Sequence, residues 1–532
     1  MIRMKRKTTW RSVLPAAIVL TLALTLLCAP VAFGATADVS NFPQLKAALE
    51  DPQITLIRMT NDIQGGKGGV TINPAKAELV IEGNGHTLTG YSSNQKSETF
   101  QLKKPGTLKN ITVQNITVRT LNYYGLIAIA ETSKMSDINM LFRNINFSGP
   151  QLAFAEDCSV TLRDGAFEVT DGHTSGSGKS VDELVEATHI RLEGKIDIVK
   201  NIKSVDEIFR MERKGGGITI GSGAVVNVRQ NQELERKKTR SGFIHVQRSG
   251  GYIVFENDSY FNFVGREFFT QDKDIALLSI GDRAQVYITT RGSFKGCYGF
   301  FHVKGNMTVG RDAVVDLIAL ENEKSDPVIQ FDGTSNIKLN SPKQFFVYNS
   351  STKSSNKGLA IGPDGCDKAL IEYNNVYSVE YWNMNSRPYN DLGPATYDWR
   401  NTDDRTQFST VCDVKSKEIR SAWTTGYTGT TPFNTKTAEL KNINVIRING
   451  GTIVTVTYHP GNEGSGGSVD QARLGSRYVV KTPEAAMVEG GTVYVFTGWS
   501  TEMNGGGVHY SSGAEIDLTG NVNLYANWIM VE

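Results

Sequence analysis

The sequence predicts an all-β chain that winds as a parallel β-helix, a solenoid of short stacked strands, and ends in a small β-rich module. From residue 54 to about 350, apolar runs of four to six residues alternate with period two. Gly, Asn, Asp and Ser separate the runs, and helical spacing is almost absent. Because the runs continue over roughly three hundred residues without a recurring blade motif, a solenoid accommodates them better than a sandwich or a propeller.

Residues 1–34 have the pattern of an export signal. Five Lys or Arg residues precede a sixteen-residue apolar run, and small residues follow it. We expect cleavage after Gly34 or Ala37. Leu27 is too large for the position before a lipidated Cys28, and no second run of about 18 apolar residues follows. The mature chain is therefore expected outside the membrane, without a membrane span.

The mature chain is nearly neutral and retains four cysteines. It has 51 basic residues (56 less the five in the leader) against 55 acidic ones, a net charge of about −4. This balance gives no reason to expect nucleic acid as a partner. The cysteines match no metal site, and they either pair in one of three ways or remain buried thiols. They are Cys158, Cys297, Cys366 and Cys412.

The predicted solenoid spans residues 38–370 and begins with a capping helix. Phe42, Leu45 and Leu49 fall on one helical face, with Ser40 placed as the N-cap. A cap is needed because an open solenoid end would expose strand edges to other chains.

One coil of the solenoid is visible at residues 216–228. Gly221 and Gly223 make its bend. Four aliphatic residues on the two sides of that bend alternate inward, and they are Ile218, Ile220, Val226 and Val228.

Asparagine recurs where the coils are expected to turn. Asn110 and Asn115 each precede Ile-Thr-Val, and Asn144 precedes Ile-Asn-Phe. Asparagine at a corner can bond to the backbone of a neighbouring coil and tolerates left-handed backbone angles. We therefore predict that these residues punctuate the coils.

The corner Gly83-Asn84-Gly85-His86 allows two interpretations. A catalytic loop for glycoside hydrolysis would need two carboxylates flanking one bond, and Glu82 alone accompanies the histidine. We therefore expect a tight turn in which His86 is a hydrogen-bonded structural residue.

A second enzymatic alternative is elimination on uronic-acid polymers, which would need clustered acids for Ca²⁺ and a basic residue. Spacings of about seven residues between the local candidates do not match a coil of roughly 20 to 30 residues, so solvated turn residues are expected. This alternative alone involves a possible cofactor, which is Ca²⁺. Its catalytic residues would be Arg163, Asp157 and Asp164. The full candidate set is Arg143, Glu156, Asp157, Arg163, Asp164 and Asp171.

The composition changes after the solenoid. All five tryptophans of the mature chain lie beyond residue 380, and the stretch 381–408 is polar and aromatic without clear alternation. Residues 371–445 are predicted to be a connector or an irregular extension of the solenoid.

Four motifs together carry a first resemblance. NFPQLKAALED (41–51), ITLIRMTNDI (54–63), LVIEGNGHTLTG (79–90) and TLKNITVQNITV (107–118) resemble the pectate lyase-like adhesive domain of Gram-positive surface proteins. The resemblance extends over about 38–350. It implies a right-handed β-helix with the shape of a pectate lyase and without established lyase activity.

The C-terminal segment 446–532 carries a second resemblance. The segment contains three motifs, VTVTYHPG, VYVFTGWST and GGGVHYSSGAEIDLTGNVNLYANW. Together they resemble one Listeria–Bacteroides repeat of the internalin B type, and this resemblance implies a β-grasp-like module. Its aromatic residues are expected to form the module's core, since so small a domain needs large apolar side chains. The motif residues are Phe496, Gly498, Trp499, Tyr525 and Trp528.

These features predict a secreted or surface-associated, non-enzymatic, adhesin-like protein that is monomeric and needs no cofactor or metal. Its expected partner is an extracellular glycan or a host or matrix protein, bound along an exposed solenoid face. Such repeats usually occur in arrays joined to a wall anchor, whereas one copy and no sorting motif are present, so release or non-covalent retention is expected. A polysaccharide lyase or glycoside hydrolase, and a purely structural spacer, are the two alternatives.

Overall fold

The computed structural model describes most of the chain after the leader. The described ranges are 34–66, 69–90, 100–122, 124–130, 133–170, 183–201, 207–230, 242–271, 275–291, 300–320, 327–331, 336–350, 360–363, 368–383, 387–400, 407–413, 418–423, 434–436, 443–451, 453–460, 467–474, 477–482, 487–489 and 492–530. The predicted export signal lies outside these ranges except for Gly34. No helix in the described ranges is long and apolar enough to cross a membrane.

Within the described residues, the chain is all-β apart from the helix Phe42–Glu50 and two single turns of 3₁₀ helix, Ser133–Met135 and Met503–Gly505. The buried face of the helix contains the three predicted residues and Ala48. The predicted N-cap at Ser40 is wrong. Asn41 caps the helix by accepting a hydrogen bond from Gln44 N (3.1 Å), because the Gln44 side chain already accepts from Ser40 N (2.8 Å).

Most strands belong to one large sheet of three parallel ladders, in which a strand pairs with another strand 19 to 35 residues further along the chain. At the two extremes, Ala35 is opposite Ile54 and Gly217 is opposite Tyr252. The first ladder contains Ala35–Val39, Ile54–Met59, Leu79–Glu82, Asn110–Arg119, Asn139–Gly149, Ala153–Val169, Val185–Lys200, Gly217–Ile220, Gly251–Phe255, Ile275–Ile280, Phe301–Val309, Asn336–Asn340 and Lys368–Asn374.

The second and third ladders share the longer strands with the first. The second adds Ile63–Gln64, Thr87–Thr89, Val225–Gln230, Tyr260–Gly265, Gln285–Thr290, Val314–Ala319 and Gln344–Asn349. The third adds Val70–Thr71, Phe100–Leu102, Ile127–Ile129, Phe209–Met211, Ile244–Val246, Phe269–Gln271, Ile329–Phe331 and Ile361–Pro363.

The core is built from side chains that alternate inward and lie opposite one another in successive strands. The four predicted inward residues of 216–228 are all buried. One row of the first ladder shows the stacking, since every member is buried and in register with the next: Ile190, Ile218, Ile253, Leu278, Met307 and Ile337. Burial of such a column removes apolar surface from water at every strand, which is the main stabilising term.

A left-handed backbone residue recurs where the chain passes from the first ladder to the second. We call these residues the corner row; they are Asn84, Asn115, Asn144, Asp164, Gly194, Gly223, Asp258, Arg283, Asp312 and Ser341, with φ between 50° and 67°. Asn, Asp and Gly dominate because they tolerate this region best. Asn110 is different, because it is the first residue of its strand.

The region 371–445 carries regular strands. These strands join the large sheet through antiparallel pairs, and they are Val376–Asn383, Tyr397–Arg400, Gln407–Asp413, Glu418–Trp423, Asn434–Lys436 and Ile443–Gly450. The predicted module boundary at residue 446 falls inside the last of these strands.

The C-terminal residues form two smaller sheets. The larger contains Ile453–His459, Val469–Arg473, Met487–Glu489, Thr492–Ser500, His509–Tyr510 and Val522–Met530, and the smaller pairs Arg477–Val479 with Glu515–Asp517. Buried Val456, Tyr458, Trp499 and Leu524 are part of a hydrophobic core separate from that of the large sheet.

Cys158 is a buried free thiol, and burial raises its pKa to about 12. Cys297, Cys366 and the side chain of Cys412 lie outside the described part of the chain.

Candidate functional site

An open groove of about 740 Å³ lies along the first positions of the corner row. We call it the corner groove. It is lined by Glu82, Asn84, Gly85, Asn115, Ile116, Thr117, Asn144, Ile145, Asn146, Gly165 and Ala166. Three successive strands of the second ladder bring Thr117, Asn146 and Ala166 into register, so the groove runs across the strands.

Hydrogen bonds to Glu82 fix one wall of the corner groove. Its carboxylate accepts from Asn84 N (2.8 Å), Gln114 Nε2 (2.8 Å) and Asn115 Nδ2 (2.9 Å). Asn144 Nδ2 in turn donates to Asn115 Oδ1 (2.8 Å). Because these donors hold Glu82 in place, the carboxylate links the corner to the next strand.

The side chains of Thr117 and Asn146 are available to a ligand. Neither has a hydrogen-bond partner within the described ranges, and Asn146 is exposed. Gly165 keeps this part of the corner groove open, because a Cβ there would lie 2.6 Å from Ile145 O. A hydroxyl and an amide beside a small-residue floor can bind a polar ligand such as a sugar.

The Gly-Asn-Gly-His corner is a hydrogen-bonded turn. His86 N donates to Gly83 O (2.8 Å), and His86 Nδ1 lies 3.4 Å from Asp62 Oδ1. Gly83 has no room for a side chain, because its Cβ would lie 2.4 Å from the Cβ of Ile116. Asn84 and Gly85 both have positive φ, and the Asn84 amide donates to Met59 O (2.8 Å).

The residues of the lyase alternative are dispersed. Arg143 is opposite Arg163, which donates to Glu193 (2.6 Å). Asp164 belongs to the corner row and accepts from Lys195 N (2.9 Å). Asp157 does not join these residues, because it pairs with Arg213 (2.8 Å). Asp171 lies outside the described residues.

A carboxylate cluster beside the third ladder joins Glu156, a candidate of the lyase alternative, to two acids that the sequence did not single out, Glu186 and Glu212. One carboxylate oxygen from each of Glu156, Glu186 and Glu212 lies within 4.8 Å of the other two. Arg213 pairs with Glu156 (2.9 Å) and with Asp157 (2.8 Å). Arg210 pairs with Glu212 (2.8 Å) and with Glu183 (3.0 Å). The acids are about one strand repeat apart in sequence, so only the strand register brings them together.

Burial and neighbouring charges shift the pKa values of three groups in and beside this cluster. Burial, reinforced by Glu183, raises the pKa of Glu186, which accepts a hydrogen bond from Gln151 Nε2 (2.9 Å). Burial alone would lower the pKa of Arg210, but the surrounding carboxylates outweigh it and raise that pKa. The hydrogen bond from Arg213 to Asp157 likewise raises the pKa of Arg213. Neither guanidinium can accept a proton near neutral pH.

The predicted C-terminal motif residues lie in and beside the small core. Trp499 is 2% exposed, donates to Lys481 O (2.8 Å) and packs edge-on against Phe496 at 5.2 Å. Trp528 is partly buried and donates to Pro460 O (2.7 Å). The remaining two are Gly498, with φ of 149°, and Tyr525, which stacks on His459 at 4.5 Å.

One protein-family model matches part of this chain. The family model described as "Putative pectate lyase-like adhesive domain" matches residues 36–154. These residues include most of the corner groove. No curated protein matches the chain.

Two solved structures are similar to part of the chain. "L. reuteri 53608 SRRP" has 14% identity and a TM-score of 0.32. "L. reuters 100-23 SRRP" has 14% identity and a TM-score of 0.37. Each alignment covers 57% of this chain and 98% of the other.

Proposed function

We propose that this chain is an extracellular, adhesin-like binding protein without enzymatic activity, exported by its leader and either released or held at the cell surface. Its scaffold is a right-handed parallel β-helix. Three parallel ladders with a repeated corner support that winding, and crossovers between parallel strands are right-handed in about 98% of cases. The match of residues 36–154 to an adhesive domain supports the adhesive role.

The corner groove is the proposed glycan-binding site, and one observation carries this proposal. An open cavity of about 740 Å³ lies mostly within the segment that matches the adhesive domain, and it presents hydroxyl and amide groups that the fold leaves unpaired. Side chains that can both donate and accept hydrogen bonds suit sugar hydroxyls.

A glycan and matrix-protein array probed with the full mature chain tests this proposal. Asn146→Ala and Thr117→Val should each raise the Kd of the bound glycan about fivefold or more, since each removes about 1 kcal/mol of hydrogen bonding. Thr89→Val is the matched control, because Thr89 is also in the second ladder but does not line the groove. Absence of saturable binding to the whole array would favour the structural spacer instead.

A polysaccharide lyase is the second candidate, because the carboxylate cluster lies next to two arginines. Glu156, Glu186 and Glu212 are the residues that would hold Ca²⁺. Incubation with pectin, alginate and glycosaminoglycans, with and without Ca²⁺, should yield no unsaturated product if the chain is an adhesin. Specific turnover abolished by Glu186→Gln would establish the lyase.

The C-terminal sheets are proposed to be one Listeria–Bacteroides repeat with a β-grasp-like fold. Their separate core and the position of Trp499 within it support an independent module. We assign it a structural or presenting role, with its aromatic residues mainly buried.

A further inference from the structure

A second surface with the chemistry of a sugar site lies on the second ladder, away from the corner groove. In the strands Tyr260–Gly265 and Gln285–Thr290, alternate residues are buried and the others are at least partly exposed. In Val314–Ala319 the same alternation holds only as far as Leu317, because Ile318 and Ala319 are both buried. We call the outward side chains the tyrosine face; they are Tyr260, Asn262, Gln285, Tyr287 and Asp316. Asp316 is the one charged residue in these three described strands.

Two aromatic rings form the centre of the tyrosine face. The ring centroids of Tyr260 and Tyr287 are 5.7 Å apart, and the planes are tilted by 48°. Both side chains are partly exposed. Tyr287 Oη donates a hydrogen bond to Gln285 Oε1 (3.2 Å), and this bond helps to orient the Tyr287 ring. The two rings together present a partly exposed aromatic surface.

Polar groups border the two rings. Asn262 is directly opposite Tyr287, and its amide has no hydrogen-bond partner within the described ranges. Asp316 is opposite Tyr287 on the other side, and one of its oxygens accepts from Gln344 Nε2 (2.5 Å). The face therefore offers an unpaired amide and a carboxylate on either side of an aromatic ring.

We propose that the tyrosine face binds pyranose rings of an uncharged glycan. The C–H face of a pyranose packs on an aromatic ring, while its hydroxyls pair with amide and carboxylate groups. We expect a neutral sugar and not an acidic one, because Asp316 would repel an acidic sugar and the nearby Arg447 is already paired with Glu380 (3.7 Å). The proposal does not depend on the corner groove.

Calorimetric titration of the full mature chain tests the tyrosine face directly. The probes are neutral oligosaccharides of xylan, β-glucan, mannan and galactan, with oligogalacturonate as the acidic comparison. Tyr287→Ala and Asn262→Ala should each raise the Kd of a bound neutral oligosaccharide about tenfold, equivalent to about 1.4 kcal/mol. Tyr287→Phe, which keeps the ring, should cause a smaller loss.

Thr89→Val is the matched control, because Thr89 lies in the second ladder outside both the corner groove and the tyrosine face, and it should leave neutral-glycan binding unchanged. Binding lost in Asn146→Ala and retained in Tyr287→Ala and Asn262→Ala would overturn the inference while leaving the proposed function intact. Absence of binding to every neutral probe at millimolar concentration, or tyrosine-dependent binding of oligogalacturonate alone, would also overturn it. If Tyr287→Ala fails to fold, Tyr287→Phe and Asn262→Ala decide the outcome.

Discussion

Asn144 donates a hydrogen bond from its side-chain amide to the side-chain oxygen of Asn115 at 2.8 Å, across two successive turns of the chain. Asn115 donates in turn to Glu82. Both asparagines have left-handed backbone angles, so one residue type supplies the turn and also the link between turns.

Asn115→Ala should lower the free energy of unfolding by about 2 kcal/mol. It removes hydrogen bonds on both sides of the residue and places an alanine in the left-handed region, which costs about 1 kcal/mol by itself. Asn110→Ala is the matched control, because Asn110 is exposed at the start of the same strand, and its effect should stay within about 0.5 kcal/mol. Urea unfolding measures both, and equal effects would contradict the special role of the corner row.

Lys76→Met should destabilise the N-terminal cap by about 1 to 3 kcal/mol. The Lys76 ammonium group is fully buried and donates to the carbonyl oxygens of Ala48, Asp51 and Ile54, so a methionine leaves these acceptors unpaired. Lys46→Met on the exposed side of the helix should have little effect, because its pair with Glu50 is weak and solvated. Hydrogen exchange of residues 42–59 would locate the loss. Protection equal to that of the unmodified chain would contradict it.

The strand Val225–Gln230 permits a matched test of strand phase. Val228 is 2% exposed and Val225 is 40% exposed. Val228→Asp should prevent cooperative folding because it buries an uncompensated charge, whereas Val225→Asp should shift stability by less than about 1 kcal/mol. Thermal unfolding followed by circular dichroism distinguishes the two. Similar melting curves would rule out the inward position of Val228.

Glu186→Gln should remove part of the pH dependence of stability. Burial and Glu183 raise the folded-state pKa of Glu186 above its ordinary value of 4.5. The folded chain therefore keeps a proton that the unfolded chain releases, and the free energy of unfolding falls as the pH rises above about 4.5. Stability relative to the unmodified chain should increase from pH 5 to pH 8, as measured by urea unfolding. The exposed Glu168→Gln should show no such trend, and a constant difference at all pH values would refute the raised pKa.

Trp499→Ala should unfold the C-terminal sheets and leave the large sheet intact. Loss of a buried tryptophan costs about 3 to 5 kcal/mol, and the core around Trp499 is separate from that of the large sheet. Calorimetry should resolve two transitions, with only one displaced. Across the boundary, the partly buried Arg473 pairs with the exposed Asp312 (3.4 Å) and donates to Lys343 O (3.1 Å), and these two polar contacts are expected to couple the two parts only weakly. A single transition displaced as a whole would show that the two parts unfold together.

The sequence was sufficient to predict what depends on local pattern. Alternation identified Ile218 and Val228 as buried residues, because a strand repeats every two residues whatever it pairs with. The position of the cap was missed by one residue, since Ser40 and Asn41 are both good caps and the Gln44 side chain decides between them.

What depends on register could not be predicted. Asn110 and Asn115 precede the same tripeptide, yet only Asn115 is in the corner row, because the neighbouring strands fix which asparagine turns. Glu156 could be singled out as a candidate acid, but its proximity to Glu186 and Glu212 could not be predicted, for the same reason. Glu186 and Arg210 are 24 residues apart and directly opposite in the ladder, a relationship that no local motif encodes.

The corner row has a consequence for how this chain tolerates changes in length. Four residues separate Ile220 from Val225, Ile280 from Gln285 and Val309 from Val314, although the full repeat between equivalent residues varies from 25 to 35. In these three coils the variation in circuit length is therefore absorbed away from this edge, whereas earlier in the solenoid the corner lengthens from two residues after Leu162 to three after Leu192 without loss of strand phase. A foreign peptide grafted between the second and third ladders of these coils should therefore be accommodated.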